Sequence, residues 1–247
     1  MRIMKRILLW ACLLALMGCG KSIPDNPENT IGRDSSWFPL QLDSKATSLT
    51  AFTDALVQEI GHLEHIPLHI VNIDWIQLFQ HLDEGTVGSI FTSLTPNLLS
   101  EKKYTFSEPV IPLGPVLIVP ADSEATSLAD LAGKIVSVYQ YDESSLVVQE
   151  HPTIVIRLYQ NMPSILEDLS KGVIDAVLMP VLDARSLVYH LYPLQLKIIT
   201  EPLSTKAIRL ITLKDENQAL LRRFNRGLKK VQENGTYDNL RRLYKLD

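Results

Sequence analysis

The chain has 247 residues, with 24 Lys and Arg against 28 Asp and Glu, 46% hydrophobic residues and two cysteines. A chain of this length buries a core without covalent staples, as one large domain or two small ones. Its acidic balance argues against nucleic acid as a partner. Because Cys12 and Cys19 both fall near the N-terminus, the body of the protein offers no disulfide and no thiolate chemistry.

The first element along the chain is a targeting segment. Arg2, Lys5 and Arg6 precede an apolar run over residues 7–17, about 11 residues long, which closes on Leu16-Met17-Gly18-Cys19. A spanning helix needs about 20 apolar residues. Basic start, short apolar stretch and a cysteine after a small residue read instead as a lipoprotein signal, with residues 1–18 removed and Cys19 carrying the lipid. Losing three basic residues leaves 21 Lys and Arg against 28 acids, a mature charge of −7. Residues 19–29 are then the lipidated cysteine and a polar, proline-bearing spacer, and a stable hold on the bilayer takes more than one acyl chain.

From residue 30 onward, short β-branched runs alternate with stretches of helical period, the rhythm of a largely parallel sheet covered by helices. A strand is expected near Ile31. Leu49, Phe52, Leu56 and Ile60 then recur at helical spacing, with Ser48 placed to cap. A strand over 68–71, a helix over 75–82 and a strand over 87–91 follow, and Thr95-Pro96-Asn97 reads as a helix start because proline suits a first turn. Residues 110–120 hold prolines at 112, 115 and 120 inside a β-branched stretch, which suggests a strand that leaves one sheet and enters another.

A second series is expected over 135–200: strands at 135–138, 154–158, 175–179 and 196–200, and helices at 144–150, 163–170 and 182–189. Residues 201–206 read as a return crossover and 208–213 as a strand. Leu220, Leu221, Phe224, Leu228 and Val231 then share one helix face, which ends at Asn234-Gly235, a pair that tolerates the left-handed conformation. A short last helix covers 237–244. Two such series joined by proline-rich crossings imply two lobes.

Several stretches resemble the bacterial extracellular solute-binding proteins, family 3, which serve polar amino-acid ABC transporters. They are Phe106-Ser107-Glu108-Pro109, Leu128-Ala129-Asp130-Leu131-Ala132-Gly133-Lys134, Gly172-Val173-Ile174-Asp175-Ala176-Val177, and the C-terminal Phe224-Asn225-Arg226-Gly227-Leu228 and Glu233-Asn234-Gly235-Thr236-Tyr237. The resemblance implies an α/β, two-lobed periplasmic-binding-protein type II fold, with two mixed five-stranded sheets joined by two hinge strands. Mapped here, it implies lobe 1 over 30–111 plus 204–247, lobe 2 over 115–200, and a hinge at 112–114 and 201–203. Ligand would sit between lobes that close on it.

A zwitterionic ligand needs donors for its carboxylate, an acid for its ammonium and an aromatic wall. By the resemblance, Trp37 stands at the stacking aromatic, Asp34 at a polar contact, Ser93 at a glycine, and Thr95 at a hydroxyl for the carboxylate. Ser100 replaces the arginine that clamps that carboxylate, Tyr141 and Asp142 follow the Val136-Ser137-Val138 strand where the family offers backbone amides, and Pro180 replaces the aspartate for the ammonium. Trp37 could equally be a core residue, and Asp34 and Thr95 could equally cap turns. Tyr139 and Glu143 are further contact candidates, and Arg157, Arg185 or Arg209 could substitute for the clamp.

His62, His65 and His69 with Glu64 have some metal-ligand look, but Gly61 and Pro67 interrupt the segment and a solvated surface is favoured. No Gly-x-Gly-x-x-Gly, Walker loop or nucleophile elbow is present. The reading is therefore a monomeric, lipid-anchored binding component of an importer, without cofactor or metal. Its partners are a small polar solute, permease subunits and, through the anchor, a membrane. The alternatives are a scaffold lipoprotein of the same fold that has lost its ligand, and a dehydratase-like enzyme.

Overall fold

The computed structural model describes residues 26–40, 42, 45–140 and 142–246. The targeting segment, Cys19 and the spacer up to residue 25 lie outside the described residues, as does Tyr141.

The first series contributes β1 (Thr30–Arg33), α1 (Lys45–Glu64), β2 (His69–Asn72), α2 (Trp75–Asp83) and β3 (Ser89–Thr92). Helix α1 begins three residues before Ser48, so Ser48 lies inside the first turn and is not the cap. Leu42 accepts a hydrogen bond from the Lys45 N–H, and Ala46 extends the apolar face that packs on the core. The helix expected at Thr95 starts late. Asn97 Oδ1 accepts from the N–H groups of Leu99 (2.9 Å) and Ser100 (3.0 Å), an Asx-type turn that delays α3 to Ser100–Lys103. Strand β4 (Tyr104–Phe106) follows; no expectation covered it.

The chain then leaves this sheet through β5 (Ile111–Pro112) and enters a second sheet at β6 (Pro115–Pro120). The second sheet adds β7 (Ile135–Tyr139), α4 (Ser144–Gln149), β8 (Val155–Tyr159), α5 (Met162–Ser170), β9 (Ala176–Pro180), α6 (Val181–Leu191) and β10 (Leu196–Ile198). The return reaches β11 (Ala207–Leu213), and helices α7 (Gln218–Glu233) and α8 (Thr236–Leu243) complete the first layer. Gly235 sits between those helices at φ 78°, the left-handed turn expected of it.

Strand order is β2-β1-β3-β11-β4 in the first sheet, with β5 attached to β11 as a sixth strand, and β10-β6-β9-β7-β8 in the second. Both sheets are mixed: β1 runs parallel to β2 and β3 while β11 is antiparallel to β3, β4 and β5, and β7 runs parallel to β8 and β9 while β6 is antiparallel to β9 and β10.

The two crossings are bonded to each other. The Leu113 N–H donates to Lys206 O at 2.9 Å and the Leu203 N–H to Pro115 O at 2.8 Å. Gly114 is required there, because a Cβ would meet Ser204 Oγ at 2.7 Å and its carbonyl at 3.0 Å. One buried apolar cluster runs from Phe52, Phe91 and Phe224 through Val110, Ile111 and Leu113 to Val177 and Met179, so the two layers share a core across the crossings.

Helix α7 seats on α1 through Gly227, where a Cβ would lie 2.7 Å from Ile60 Cγ2. Beside this contact the Glu64 side chain, only 2% exposed, accepts hydrogen bonds from Lys230 Nζ at 2.8 Å and from Arg226 Nε at 2.9 Å. The Arg226 guanidinium, despite the desolvation that opposes it, holds the Glu64 carboxyl below its ordinary value. A folded-state value below the unfolded one means that this pairing stabilises the protein above about pH 4.3, the usual glutamate value, and is lost as pH falls through the lower folded value. Glu64→Gln is expected to cost about 1.5–3 kcal/mol at pH 7 and to flatten the acid limb of stability against pH, measured by urea unfolding between pH 3 and pH 7. Gly227→Val is expected to force α7 off α1 and cost about 1–3 kcal/mol, read from the same unfolding curves with an unchanged circular dichroism spectrum.

Candidate functional site

In mixed and parallel α/β sheets, ligands bind in the crevice beyond the carboxyl ends of the strands. The carboxyl ends of β7 and β9 are Tyr139 and Pro180, and both line a cavity of about 450 Å³. Across it lie Pro39, Leu40 and Leu42, from the segment that follows β1, while Leu113 and Lys206 bring in one residue from each crossing. The cavity is therefore bounded by strand ends of the second sheet, by the segment that follows β1 and by the connections between the sheets.

Its charged groups come in pairs. Lys45, from the first turn of α1, donates from Nζ to Leu182 O at 2.8 Å and to Asp183 Oδ1 at 2.6 Å in the first turn of α6. The Asp183 carboxylate also faces the positive end of the α6 dipole. On another side, Glu143 accepts a hydrogen bond from Ser204 Oγ at 3.0 Å and stands 3.7 Å from Lys206 Nζ. Asp142 lines the cavity, and its Oδ1 accepts from both the N–H and the Oγ of Ser144 at 2.7 Å in a turn just before α4. Lys206, Asp142 and Asp183 thus present one cation and two carboxylates to an otherwise largely apolar hollow, with Lys45 bonded to Asp183.

Of the candidate residues, Tyr139, Asp142 and Pro180 line this cavity, while Asp34, Trp37, Ser93, Thr95 and Ser100 do not. Trp37 is 4% exposed in the apolar core; its ring lies 6.3 Å from Phe91 and its indole N–H donates to Thr50 Oγ1 at 3.0 Å. Asp34 is spent on its own turn, accepting from Ser36 N–H, Ser36 Oγ and Phe38 N–H at 2.7–3.1 Å. Ser100 Oγ accepts from the Asn97 N–H at 2.9 Å and lies 3.1 Å from Thr95 O, so it closes the turn that opens α3. Ser93 and Thr95 are half-buried beside it. Tyr141 falls outside the described residues.

None of the three arginines suggested as a substitute clamp lines the cavity. Arg209 donates to Ser107 O and Thr205 O, and burial pulls its pKa below the usual value. Arg157 lies on β8 at the sheet edge, and Arg185 lines a different hollow. Sequence reasoning missed Lys45, Asp183 and Lys206, none of which falls inside a recognisable motif. A signal was available for Asp183, since it follows Pro180 at the start of a helix whose N-terminus faces the crevice. Arg33 was also missed, but it is structural: its side chain, 3% exposed, donates to Thr50 O, Thr53 Oγ1, Asp54 Oδ1 and Asn72 Oδ1.

Around the histidines, Glu64 is engaged by Arg226 and Lys230, and no group of three metal-ligating side chains occurs among the described residues. Nor is any helix among them long and apolar enough to cross a membrane.

Comparison with known proteins agrees with this architecture. The chain is 24% identical over 242 residues to the "Probable histidine-binding protein" of Neisseria gonorrhoeae, covering 92% of this chain and 89% of that protein. It is 26% identical over 215 residues to the L-cystine-binding protein TcyJ of Escherichia coli K12, covering 85% and 79%. The crystal structure of the L-cystine solute receptor of Neisseria gonorrhoeae, in its unliganded open conformation, superposes with a TM-score of 0.69 at 16% identity, covering 91% of this chain and 97% of that one; this likeness speaks to the fold. The sequence profile of one family spans residues 30–246, the stretch that builds both sheets and the crevice they enclose, and by that match the chain belongs to the bacterial extracellular solute-binding proteins, family 3.

Proposed function

We propose that this protein is the binding component of an ABC importer for an amino acid or a closely related small polar solute, held in the crevice between the two sheets. The observation that carries the reading is the placement of Lys206, Asp142 and Asp183 on the wall of the 450 Å³ cavity, with Lys45 bonded to Asp183. A volume of that order suits a small ligand, and paired cations and carboxylates match the two ends of a zwitterion. The names of the histidine-binding and cystine-binding relatives support the same class of solute.

In this reading Lys206 meets the ligand carboxylate, and Asp183 and Asp142 meet its ammonium. The half-exposed Lys45–Asp183 pair then opens and re-forms as the ligand enters. Residues 30–111 with 204–247 form one lobe and 115–200 the other, and they close about 112–114 and 201–203. Closure buries the ligand and presents a surface for the permease. Binding without turnover is the whole activity. Trp37 and Asp34 act by shaping the segment that carries Pro39 and Leu40 into the crevice, and Ser93, Thr95 and Ser100 act by holding the turn before α3.

Titration with a panel of histidine, cystine, arginine, glutamine and small amines is expected to find one that raises stability by about 2.7 kcal/mol at a hundredfold excess over its Kd. Asp183→Asn and Lys206→Met are each expected to weaken that ligand by about 10- to 100-fold, the worth of one charge-assisted hydrogen bond, measured by calorimetry. A panel that leaves the melting temperature unchanged throughout overturns the reading and favours a scaffold of the same fold.

The N-terminal segment supports an anchor at Cys19 on the extracytoplasmic face of a bacterial membrane. Cys19→Ala is expected to abolish incorporation of labelled palmitate and to release the protein from the membrane fraction, while leaving solute affinity unchanged.

A further inference from the structure

A second cavity, of about 690 Å³, opens where the first crossing, α6 and the two C-terminal helices meet; it shares only Leu182 with the crevice. Its floor is apolar and buried: Ile111, Val181, Leu228 and Leu246 are each 1–4% exposed. Tyr237 completes the floor with its ring, because its hydroxyl is already spent on Val110 O at 2.7 Å. A dry floor of this kind receives an apolar body.

The rim carries four cations and two acids. Arg185, Arg226, Lys229 and Arg241 line it against Glu108 and Glu201. Arg226 is held by Glu64, and Lys229 stands 3.7 Å from Glu233. Arg241 lies over the Tyr237 ring at 5.9 Å and reaches Asp238 only at 4.0 Å. Arg185 is half-buried and makes no hydrogen bond or ion pair with any described residue. A guanidinium that no carboxylate reaches within ion-pair distance keeps its fork of donors open to an incoming acid group.

We propose that this cavity is a second ligand site, for a free small amphiphilic anion. Its carboxylate or sulfonate is met by Arg185 and Arg241, and its aromatic or short aliphatic body lies on Val181, Leu228 and Leu246. The proposal stands on this cavity alone and does not rest on the amino-acid reading of the crevice.

The test is calorimetric titration of the purified protein with 2-naphthalenesulfonate, beside its neutral isostere 2-naphthalenemethanol. One saturable site per chain is expected for the sulfonate, with the alcohol and the Arg185→Gln variant each at least tenfold weaker. The crevice variant Asp183→Asn should bind the sulfonate as the unaltered protein does. Intermolecular nuclear Overhauser effects from the naphthyl protons to the Leu228 and Leu246 methyl groups are expected in the unaltered protein, and they locate the site even if Arg185→Gln fails to fold. Absence of saturable binding up to millimolar sulfonate, equal affinity for the alcohol, full affinity in Arg185→Gln, or contacts to crevice residues instead would each overturn the proposal.

Discussion

Strand β11 is the constraint on which the remaining architecture depends. It runs antiparallel between β3 and β4, pairing Leu210 with Phe91 and Thr212 with Thr105, so the first sheet cannot be completed until the chain has built the whole second sheet and come back. Two crossings follow necessarily, and they must lie side by side, because β5 and β11 are themselves paired at Pro112 and Ala207. A backbone that crosses as a two-stranded ribbon, with hydrogen bonds between Leu113 and Lys206 and between Leu203 and Pro115, satisfies its polar groups while leaving few residues to resist bending. The same return delivers α7 and α8 to the face of α1, where Gly227 and Glu64 fix them. The C-terminus therefore closes the layer that the N-terminal half of the chain began.

The distribution of charge divides along the same line. Inside the first layer, every strongly buried ionic group has partners from the protein: Arg33 with Asp54 and Asn72, Asp34 with its own turn, Glu64 with Arg226 and Lys230. Groups this desolvated are committed to the fold, since removing one partner strands the other. In the crevice the charged side chains are partly exposed, with Asp183 at 41% and Lys206 at 33%. Water competes for such pairs and their net worth is small, which is the condition under which a ligand can exchange with them. The same comparison explains why Trp37 does not reach the crevice: its indole is fixed between Phe91, Arg33 and Thr50.

Much of the fold was legible because it rests on periodicity and on turn chemistry. The proline-marked passage between sheets, the helical stripe of Leu220, Phe224, Leu228 and Val231, and the stop at Gly235 all depend on local physics, and each lies where the spacing put it. Strand β4 escaped because three residues carry too little pattern, and the late start of α3 because the Asn97 side chain outcompeted the proline signal. Strand β8 shows another limit. The strand expected over 154–158 is present as β8, but its apolar Val155, Ile156 and Leu158 are 53%, 39% and 56% exposed; β8 is an edge strand, and strand order is not encoded in any one strand. The site was the least legible part. Motif alignment pointed to Asp142, which lines the cavity, but Lys45 and Asp183 meet across 138 positions of sequence, and a pair that distant leaves no spacing to read.

A lysine in place of an arginine clamp, as in the proposed reading, would change what the crevice can distinguish. Guanidinium fixes a carboxylate in one plane through a two-point fork, whereas an ammonium acts as a point charge on a flexible stem. With Ser100 in the family's arginine position and tied into its own turn, orientation of a ligand carboxylate would have to come from elsewhere. Lys206 lies on the return crossing, so its grip would depend on the geometry of the crossing itself. Pro180, where the resemblance puts the family's aspartate, offers neither a carboxylate nor an N–H at the end of β9, and in the proposed reading the anionic role would fall to Asp183, one helical turn further along. That places the acid on α6, where Lys45 already holds it at 2.6 Å. In the proposed reading a ligand ammonium would have to displace Lys45 from Asp183, so selectivity among solutes would follow from how well each cation outcompetes a tethered lysine rather than from the shape of a preformed fork.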